Sequence, residues 1–305
     1  MVISIDHGNK QVKTMHRTFT SGYVESEFDP KLGGETVCYE GKYYTLSEKR
    51  INYMRDKTVD ERFFVLTMFA LAYEIEANDA YSNDFLVVDL LVGLPPAHFG
   101  GQRQTFQEYF LQNGGLFEFA KNGKSYGIHI RSVHVYPQGM ASVMTVFDKV
   151  QTHPKVTLID IGGYTAIYMV FRYGKPDMSA TDSLENGLIL LYNAITKKIL
   201  SDFDTRLDET EIDAVINGTY GEIADEIRAI IENETKTFVL NLLNRLREDQ
   251  IDLKTGITVF AGGGSILLKK YIEQWGDRIS TPMFIEDINA NVRGYELFYL
   301  SELSE

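Results

Sequence analysis

The sequence predicts an α/β protein of two lobes, each centred on a hairpin that turns at an Asp-x-Gly sequence. Three observations point there. The 305 residues exceed one typical domain of roughly 150, and 44% hydrophobic with 24% charged residues is ordinary globular composition. Apolar runs of strand length alternate with stretches of helical spacing. The segment Ile3-Ser-Ile-Asp6-His-Gly8-Asn9 recurs 154 residues later as Thr157-Leu-Ile-Asp160-Ile-Gly162-Gly163.

Residues 2–6 and 11–15 read as hairpin arms joined by His7-Gly8-Asn9, with a third strand at 18–23. The segment 28–58 is rich in Gly, Tyr and charge, holds short strands at 36–39 and 42–45, and is expected to cap the first lobe. Over 60–78, Phe63, Phe64, Leu66, Thr67, Phe69, Ala70, Tyr73 and Ile75 have the spacing of a largely buried helix. The run 85–94 is almost continuously apolar, as parallel strands covered on both faces are. A helix is expected over 101–113, then strands at 116–120 and 126–130 around Asn122-Gly123, a strong hairpin signal. Gly123-Lys124-Ser125 imitates the tail of a P-loop, but the first glycine of that pattern would fall at Glu118 and no helix follows.

A strand at 132–136, a helix at 139–150 and a strand at 156–161 come next. The last opens a hairpin through Gly162-Gly163 to 170, with a further strand at 175–179. Helices are expected over 183–200 and 221–248, separated by an acidic, weakly structured stretch at 201–220. A buried strand at 257–260, a helix at 265–275 and a final helix at 289–303 complete the chain. No low-complexity linker divides it. The expected lobes are therefore 1–150 with 288–305, and 151–287, the second bearing a short cap at 200–225.

Charge and cysteine content exclude several classes. With 43 acidic and 30 basic residues the formal charge is -13, so direct nucleic-acid binding, which rests on neutralising phosphates, is not expected. The single Cys38 can close no internal disulfide, and the N-terminus lacks the basic flank and apolar core of a signal peptide. No apolar run reaches the 18 or so residues of a membrane span. A cytoplasmic protein without membrane contact is the expectation.

The duplicated hairpin is the informative feature. Asp and Gly belong in turns for purely conformational reasons, but two copies half a chain apart suggest a ligand. Glycines in a tight turn let backbone N–H groups approach phosphate oxygens. A carboxylate at the strand end would repel those phosphates unless a hard cation intervened. Asp6 and Asp160 are thus read as holding Mg²⁺ and its waters. Lys13, on the return strand, offers a compact positive charge to the phosphates or is a solvated strand lysine. A third element, Ala261-Gly262-Gly263-Gly264-Ser265 after a strand, puts a glycine run at a helix start, where anions and ribose hydroxyls are attracted. A Rossmann fingerprint is not met, since its next spaced glycine would fall at Leu267.

These two hairpins, the Pro137-Gln138-Gly139-Met-Ala141 connection, the glycine corner and the C-terminal Asn291-Val-Arg-Gly294-Tyr segment together resemble the actin, sugar-kinase and heat-shock-chaperone ATPase superfamily. The short chain and the stretch 219–300 most resemble bacterial plasmid-segregation actins of the ParM/StbA type. The resemblance implies a two-lobed actin-like fold, a duplicated ribonuclease H-like architecture, with ATP or ADP and Mg²⁺ in a cleft between lobes and GTP as the alternative nucleotide. It assigns Asp6, Gly8, Asn9 and Lys13 to a first phosphate loop and Gly162, Gly163, Tyr164 and Thr165, with Asp160, to a second. Asn9 departs from the family's usual Ser or Thr. Gln138 takes the place of the residue that orients the attacking water. A neutral amide can position water but cannot accept its proton, so slow hydrolysis is expected. Gly262, Gly263, Gly264 and Ser265 would meet the adenosine, and Glu185 and Asn186 the ribose. Asp182 with Glu185 reads equally well as a helix capping box. Glu234 and Lys236 are placed near the purine. His7 is read as a structural turn histidine, and His129, His134 and His153 lack metal-ligand spacing.

The implied function is a nucleotide-dependent filament former whose slow ATPase is coupled to polymerisation and which moves plasmid DNA through a separate DNA-binding adaptor. Its alternatives are a non-polymerising scaffold ATPase of the division, cell-shape or pilus-assembly kind, and a sugar-type kinase. A kinase would need a catalytic carboxylate where Gln138 stands. A chaperone of this superfamily carries a long extension that is not seen after Glu305.

Overall fold

The computed structural model describes residues 1–30, 33–82 and 84–304. By contact the chain forms two units, Met1–Thr145 with Asn289–Glu305, and Val146–Ile288. The first begins with β1 (Val2–His7), β2 (Gln11–Lys13), β3 (Thr18–Thr20), β4 (Tyr23–Ser26), β5 (Thr36–Tyr39), β6 (Lys42–Leu46) and α1 (Arg62–Ala77). It continues through β7 (Leu86–Leu94), α2 (Pro96–Phe110), β8 (Leu116–Lys121), β9 (Lys124–Pro137) and α3 (Met140–Met144). The second contains α4 (Phe147–Val150), β10 (Val156–Ile161), β11 (Ala166–Arg172), β12 (Lys175–Leu184), α5 (Leu188–Phe203), α6 (Glu209–Ile216) and α7 (Asp225–Glu248). There follow β13 (Ile257–Ala261), α8 (Gly262–Leu267), α9 (Lys269–Ile272) and β14 (Thr281–Phe284), after which α10 (Ala290–Ser304) returns to the first unit.

Among the described residues the first unit holds one sheet in the order β3-β2-β1-β7-β9-β8-β5-β6-β4. Its centre, β1-β7-β9, is parallel, and the apolar character of β7 follows, because seven consecutive residues from Val88 to Leu94 are buried. On it lies α1, in which every residue from Phe63 to Ile75 is buried. A helix apolar on all sides must be covered on all sides. Within the segment 28–58, expected as a cap, β5 pairs with β8 at Val37↔Lys121 and Cys38↔Ala120 and so extends the sheet; Lys31 and Leu32 of that segment lie outside the described residues. The two strands expected at 126–130 and 132–136 are one. Arg131 is the extra residue of a bulge opposite Val88/Asp89, and its guanidinium, with the Ser132 hydroxyl, binds back to the buried Asp89 carboxylate. The bulge keeps the strand continuous while shifting its register. Asn122 and Gly123, both at positive φ (51° and 80°), form the two-residue turn between β8 and β9. The helix expected from 101 begins at Pro96, a residue suited to the first helical position.

The single helix expected over 139–150 is broken at Val146, where φ of -126° interrupts the α-geometry and the chain passes from one unit to the other. The second unit's sheet has the order β12-β11-β10-β13-β14. Here β12 runs five residues past the expected end at 179, pairing Asp182 with Tyr168 and Ser183 with Ile167. The helix expected from 183 therefore starts at Leu188, and Asp182 and Glu185 form no capping box. Such a box exists elsewhere: the Asp208 side chain accepts from Glu211 N–H at 2.8 Å while Glu211 accepts from Asp208 N–H at 2.8 Å. It opens α6, a helix within the stretch expected to be weakly structured, which buries Ile212, Val215 and Ile216. Each unit has its own apolar core, one around β1, β7 and α1, the other around β10, α5 and α7.

A smaller cluster, Leu91, Tyr136, Ala141 and Tyr295, fastens α10 to the first unit. The fit is close because Gly294 brings the backbone of α10 against Ala141, and Gly93 leaves room for the Tyr295 ring. One carboxyl on this helix carries a penalty. Glu296 accepts from the Ser4 hydroxyl at 3.1 Å, while burial and then the neighbouring Glu74 raise its pKa against the opposing pull of Arg293 and His16. A carboxyl with a folded pKa above its unfolded value favours folding when protonated, and that contribution is lost as pH rises through the folded pKa. Glu296→Gln keeps the acceptor without the charge. It is expected to raise the thermal midpoint at neutral pH and to leave it unchanged in acid; a lower neutral midpoint would contradict this.

Candidate functional site

In the first unit the Asp-x-Gly turn is built by hydrogen bonds that leave no room for a side chain at 8. The Gly8 N–H donates to Asp6 O at 3.0 Å, the Ser21 hydroxyl to Gly8 O at 2.5 Å, and a Cβ on Gly8 would lie 2.5 Å from Gln11 O. Asp6 stands opposite Lys13 in the β1–β2 register, their charged groups 3.9 Å apart. Although 96% buried, Asp6 has a specific partner: Gln138 Nε2 donates to its Oδ1 at 2.6 Å. A carboxylate only accepts, so the amide must turn its nitrogen to it.

Gln138 is held by the connection that follows β9. Gly139 has φ of 75°, its N–H donates to the Asn291 side chain at 2.9 Å, and its carbonyl accepts from Ser142 Oγ at 2.7 Å. The two motifs at 137–141 and 291–295 are therefore one packing unit, with Gly294 against Ala141. Asn9 is occupied differently from the phosphate contact expected of it. Its side chain accepts from Met54 N–H at 3.1 Å and donates to Met54 O at 3.3 Å, so it ties the segment before α1 to the turn. His7 lies in β1 rather than the turn. Its side chain is wholly buried, bonded to the Thr67 hydroxyl at 2.8 Å and stacked on Phe110. Burial, then the Lys57 charge, hold it well below the ordinary imidazole pKa, which makes it a neutral core residue.

Lys57, in the segment that Asn9 ties down, was not singled out from the sequence. It is 95% buried, its ammonium lies 5.4 Å from the Phe63 ring centre, and burial pushes its pKa down to about 8 against the opposing pull of Asp6. No spacing or motif marks it. The contact arises only when residues 51–61 fold back over the hairpin.

In the second unit Asp160 is the penultimate residue of β10 and is 94% buried. The turn is closed by Gly162 N–H to Thr165 O at 2.8 Å. The start of α5 is fastened onto it: Leu188 N–H donates to Gly162 O at 3.1 Å, Ile189 N–H to Gly163 O at 2.8 Å, and Gly187 N–H to Tyr164 O at 3.0 Å. This brings Glu185 and Asn186 beside Gly162, Gly163, Tyr164 and Thr165. The glycine corner joins the same place. Gly262 has φ of 81°, and a Cβ there would fall 2.2 Å from the Asp160 carboxylate and 2.6 Å from Ile161 O. Gly264 likewise abuts Ile161. Here the helix begins at Gly262, three residues before the expected start at Ser265, and Ser265 is fully buried inside the unit. Glu234 pairs with Lys198 at 3.2 Å and Lys236 with Glu232 at 4.0 Å on α7.

Asp6 in the first unit and Asp160 in the second are each an oxygen donor of the kind Mg²⁺ takes, one or two carboxylates with the rest supplied by water and phosphate. Beside the second of them only glycine fits at 262, because a Cβ there would collide with the carboxylate itself at 2.2 Å. The residues therefore suit that ion. Among the described residues no group of three or more His, Cys, Asp and Glu forms a metal cluster, His129, His134 and His153 included.

Comparison with known proteins identifies the family and the fold. Residues 4–140 match the family "Actin like proteins N terminal domain" and residues 158–274 the family "Archaeal actin homologue MreB-like, C-terminal". No curated protein sequence matches. Among solved structures, a ParM filament from Clostridium botulinum aligns with a TM-score of 0.77 at 18% identity, covering 98% of this chain and 99% of that one. The archaeal actin homologue Ta0583 aligns with a TM-score of 0.77 at 17% identity over 98% and 99%. Its complex with ADP aligns at 0.74 and 17% over the same shares. The chain belongs to the actin-like superfamily and has the two-lobed α/β fold of its ParM-type members.

Proposed function

We propose that this chain is a nucleotide-dependent, filament-forming actin-like ATPase that hydrolyses ATP slowly, in step with polymerisation, and moves plasmid or other DNA through a separate adaptor. The observation that carries the reading is the 2.6 Å bond from Gln138 to Asp6, which fixes a water-orienting amide to the carboxylate at the end of the phosphate-binding hairpin. Each unit brings one hairpin and one carboxylate. The tight turns at Gly8 in the first unit and at Gly162-Gly163 in the second carry no side chain, so phosphate oxygens can approach the backbone there. Lys13 adds a positive charge, and Gly262 to Gly264 allow the nucleoside to approach the backbone closely. Asp6 and Asp160 would hold Mg²⁺, which when bound screens the triphosphate and stabilises charge on the leaving oxygen. Gln138 orients water without taking its proton, which keeps turnover low.

The existence of an ADP complex of an archaeal actin homologue and of a ParM filament supports nucleotide binding and self-association. The formal charge of -13 favours an adaptor over direct contact with DNA. The test is light scattering and pelleting with Mg²⁺ and ATP or ADP, with phosphate release followed in parallel. Polymer is expected with ATP, declining as phosphate appears, and neither signal is expected when EDTA removes the divalent ion. A chain that stays monomeric at high concentration with Mg²⁺ and ATP is not a filament former.

A further inference from the structure

We infer that Lys57 reads the terminal phosphate of the bound nucleotide and so distinguishes a triphosphate from a diphosphate. This rests on the nucleotide reading above and adds to it a residue outside the two duplicated hairpins.

The first observation is an imbalance of charge. Lys57 is 95% buried, and among the described residues its ammonium has neither a hydrogen bond nor an ion pair; its near neighbour is the Phe63 ring at 5.4 Å. The carboxylate within electrostatic reach is Asp6, but Asp6 also faces Lys13 at 3.9 Å and accepts from Gln138 at 2.6 Å. The imidazole of His7, the residue after Asp6, is engaged by the Thr67 hydroxyl at 2.8 Å. Two ammonium groups thus share one carboxylate in a desolvated place. A buried cation without full compensation is costly, and a methionine would fill the same volume without that cost. An arriving polyphosphate supplies the missing negative charge.

The second observation is that the segment carrying Lys57 is fixed to the hairpin. Asn9 binds both the N–H and the carbonyl of Met54, and Ile51 N–H donates to Ser21 O at 2.8 Å. Ser21 in turn holds Gly8 through its hydroxyl. Thr58 is pinned to Asp56 through its N–H at 2.9 Å and its hydroxyl at 2.7 Å, which sets the backbone on either side of Lys57. The ammonium is therefore delivered by an ordered segment rather than by a free loop. Gln138 binds Asp6, and the segment that carries Lys57 is bound through Met54 to Asn9 of the same turn, so Lys57 belongs to the end of the hairpin where the attacked phosphate would lie. That phosphate is the one ADP lacks.

The test is equilibrium binding by calorimetry, with ATP and ADP each in the presence of Mg²⁺, below the concentration at which scattering rises. In the Lys57→Met chain, ATP affinity is expected to fall about tenfold and ADP affinity less than about twofold, with a thermal midpoint in the absence of nucleotide equal to or above that of the unchanged chain. Equal losses for ATP and ADP, or no loss, overturn the assignment. Should Lys57→Met fail to fold, Lys57→Gln, which keeps a polar tip, takes the same comparison with the same criteria. If the unchanged chain binds neither nucleotide, the nucleotide reading itself falls; if it binds both and only the selectivity is unmoved by substitution, Lys57 alone is misassigned.

Discussion

Alanine in place of Gly294 is expected to cost the first unit about 3 kcal/mol, at the upper end of what overpacking a core costs, or to prevent its folding. The added Cβ would stand 1.8 Å from Ala141 O, 2.3 Å from its carbonyl carbon and 2.7 Å from its Cα. These are backbone atoms at the start of α3, so no side chain can swing aside. Relief requires α10 to move away as a body, which uncovers Leu91, Tyr136 and Tyr295. Gly101→Ala is the control, because a Cβ there meets nothing within 4 Å and alanine is the better helix residue. Denaturant unfolding should separate the two variants clearly. A Gly294→Ala chain as stable as the Gly101→Ala chain would mean that α10 does not pack this closely.

Loss of the Gln138 amide is expected to separate binding from turnover. In Gln138→Ala, phosphate release should fall about 10²-fold, the order of loss seen when a reacting group is left unpositioned, while ATP affinity stays within about threefold. Filaments formed with ATP should then persist, visible as a pelleted fraction that no longer declines with time. Parallel loss of affinity and turnover would instead make Gln138 a binding residue. Gln138→Glu is not a gentler version of this change. A second carboxylate 2.6 Å from Asp6 cannot donate to it unless protonated, so the pair would share a proton or separate.

Much of this was legible because turn chemistry is local. Asp6-x-Gly8, Asp160-x-Gly162 and Asn122-Gly123 announce tight reversals wherever they occur, and the glycine run at 262–264 announces close backbone approach. Long-range pairing was not visible. Thr281-Pro282-Met-Phe284 reads poorly as a strand because of its proline, yet β14 lies at a sheet edge, where a missing donor is tolerated. The strand β12 overran its expected end because β11 offered partners as far as Ala166. In α6, Ile212, Val215 and Ile216 were hidden among acidic residues. At the site, Asn9 and Lys57 were the least legible. Asn9 departs from the family's hydroxyl and spends its side chain on Met54, and the burial of Lys57 comes from a fold-back of residues 51–61 that leaves no periodic trace.

The first unit is assembled from two stretches of chain with the whole of the second unit intervening. During synthesis at about 5–20 residues per second, the ribosome therefore finishes every strand of the first unit's sheet among the described residues on the order of ten seconds before the helix that covers Leu91, Tyr136 and Ala141 emerges. Through that interval the nascent chain carries an uncovered aromatic and aliphatic face, and any factor that shields emerging polypeptides has there its natural point of attachment.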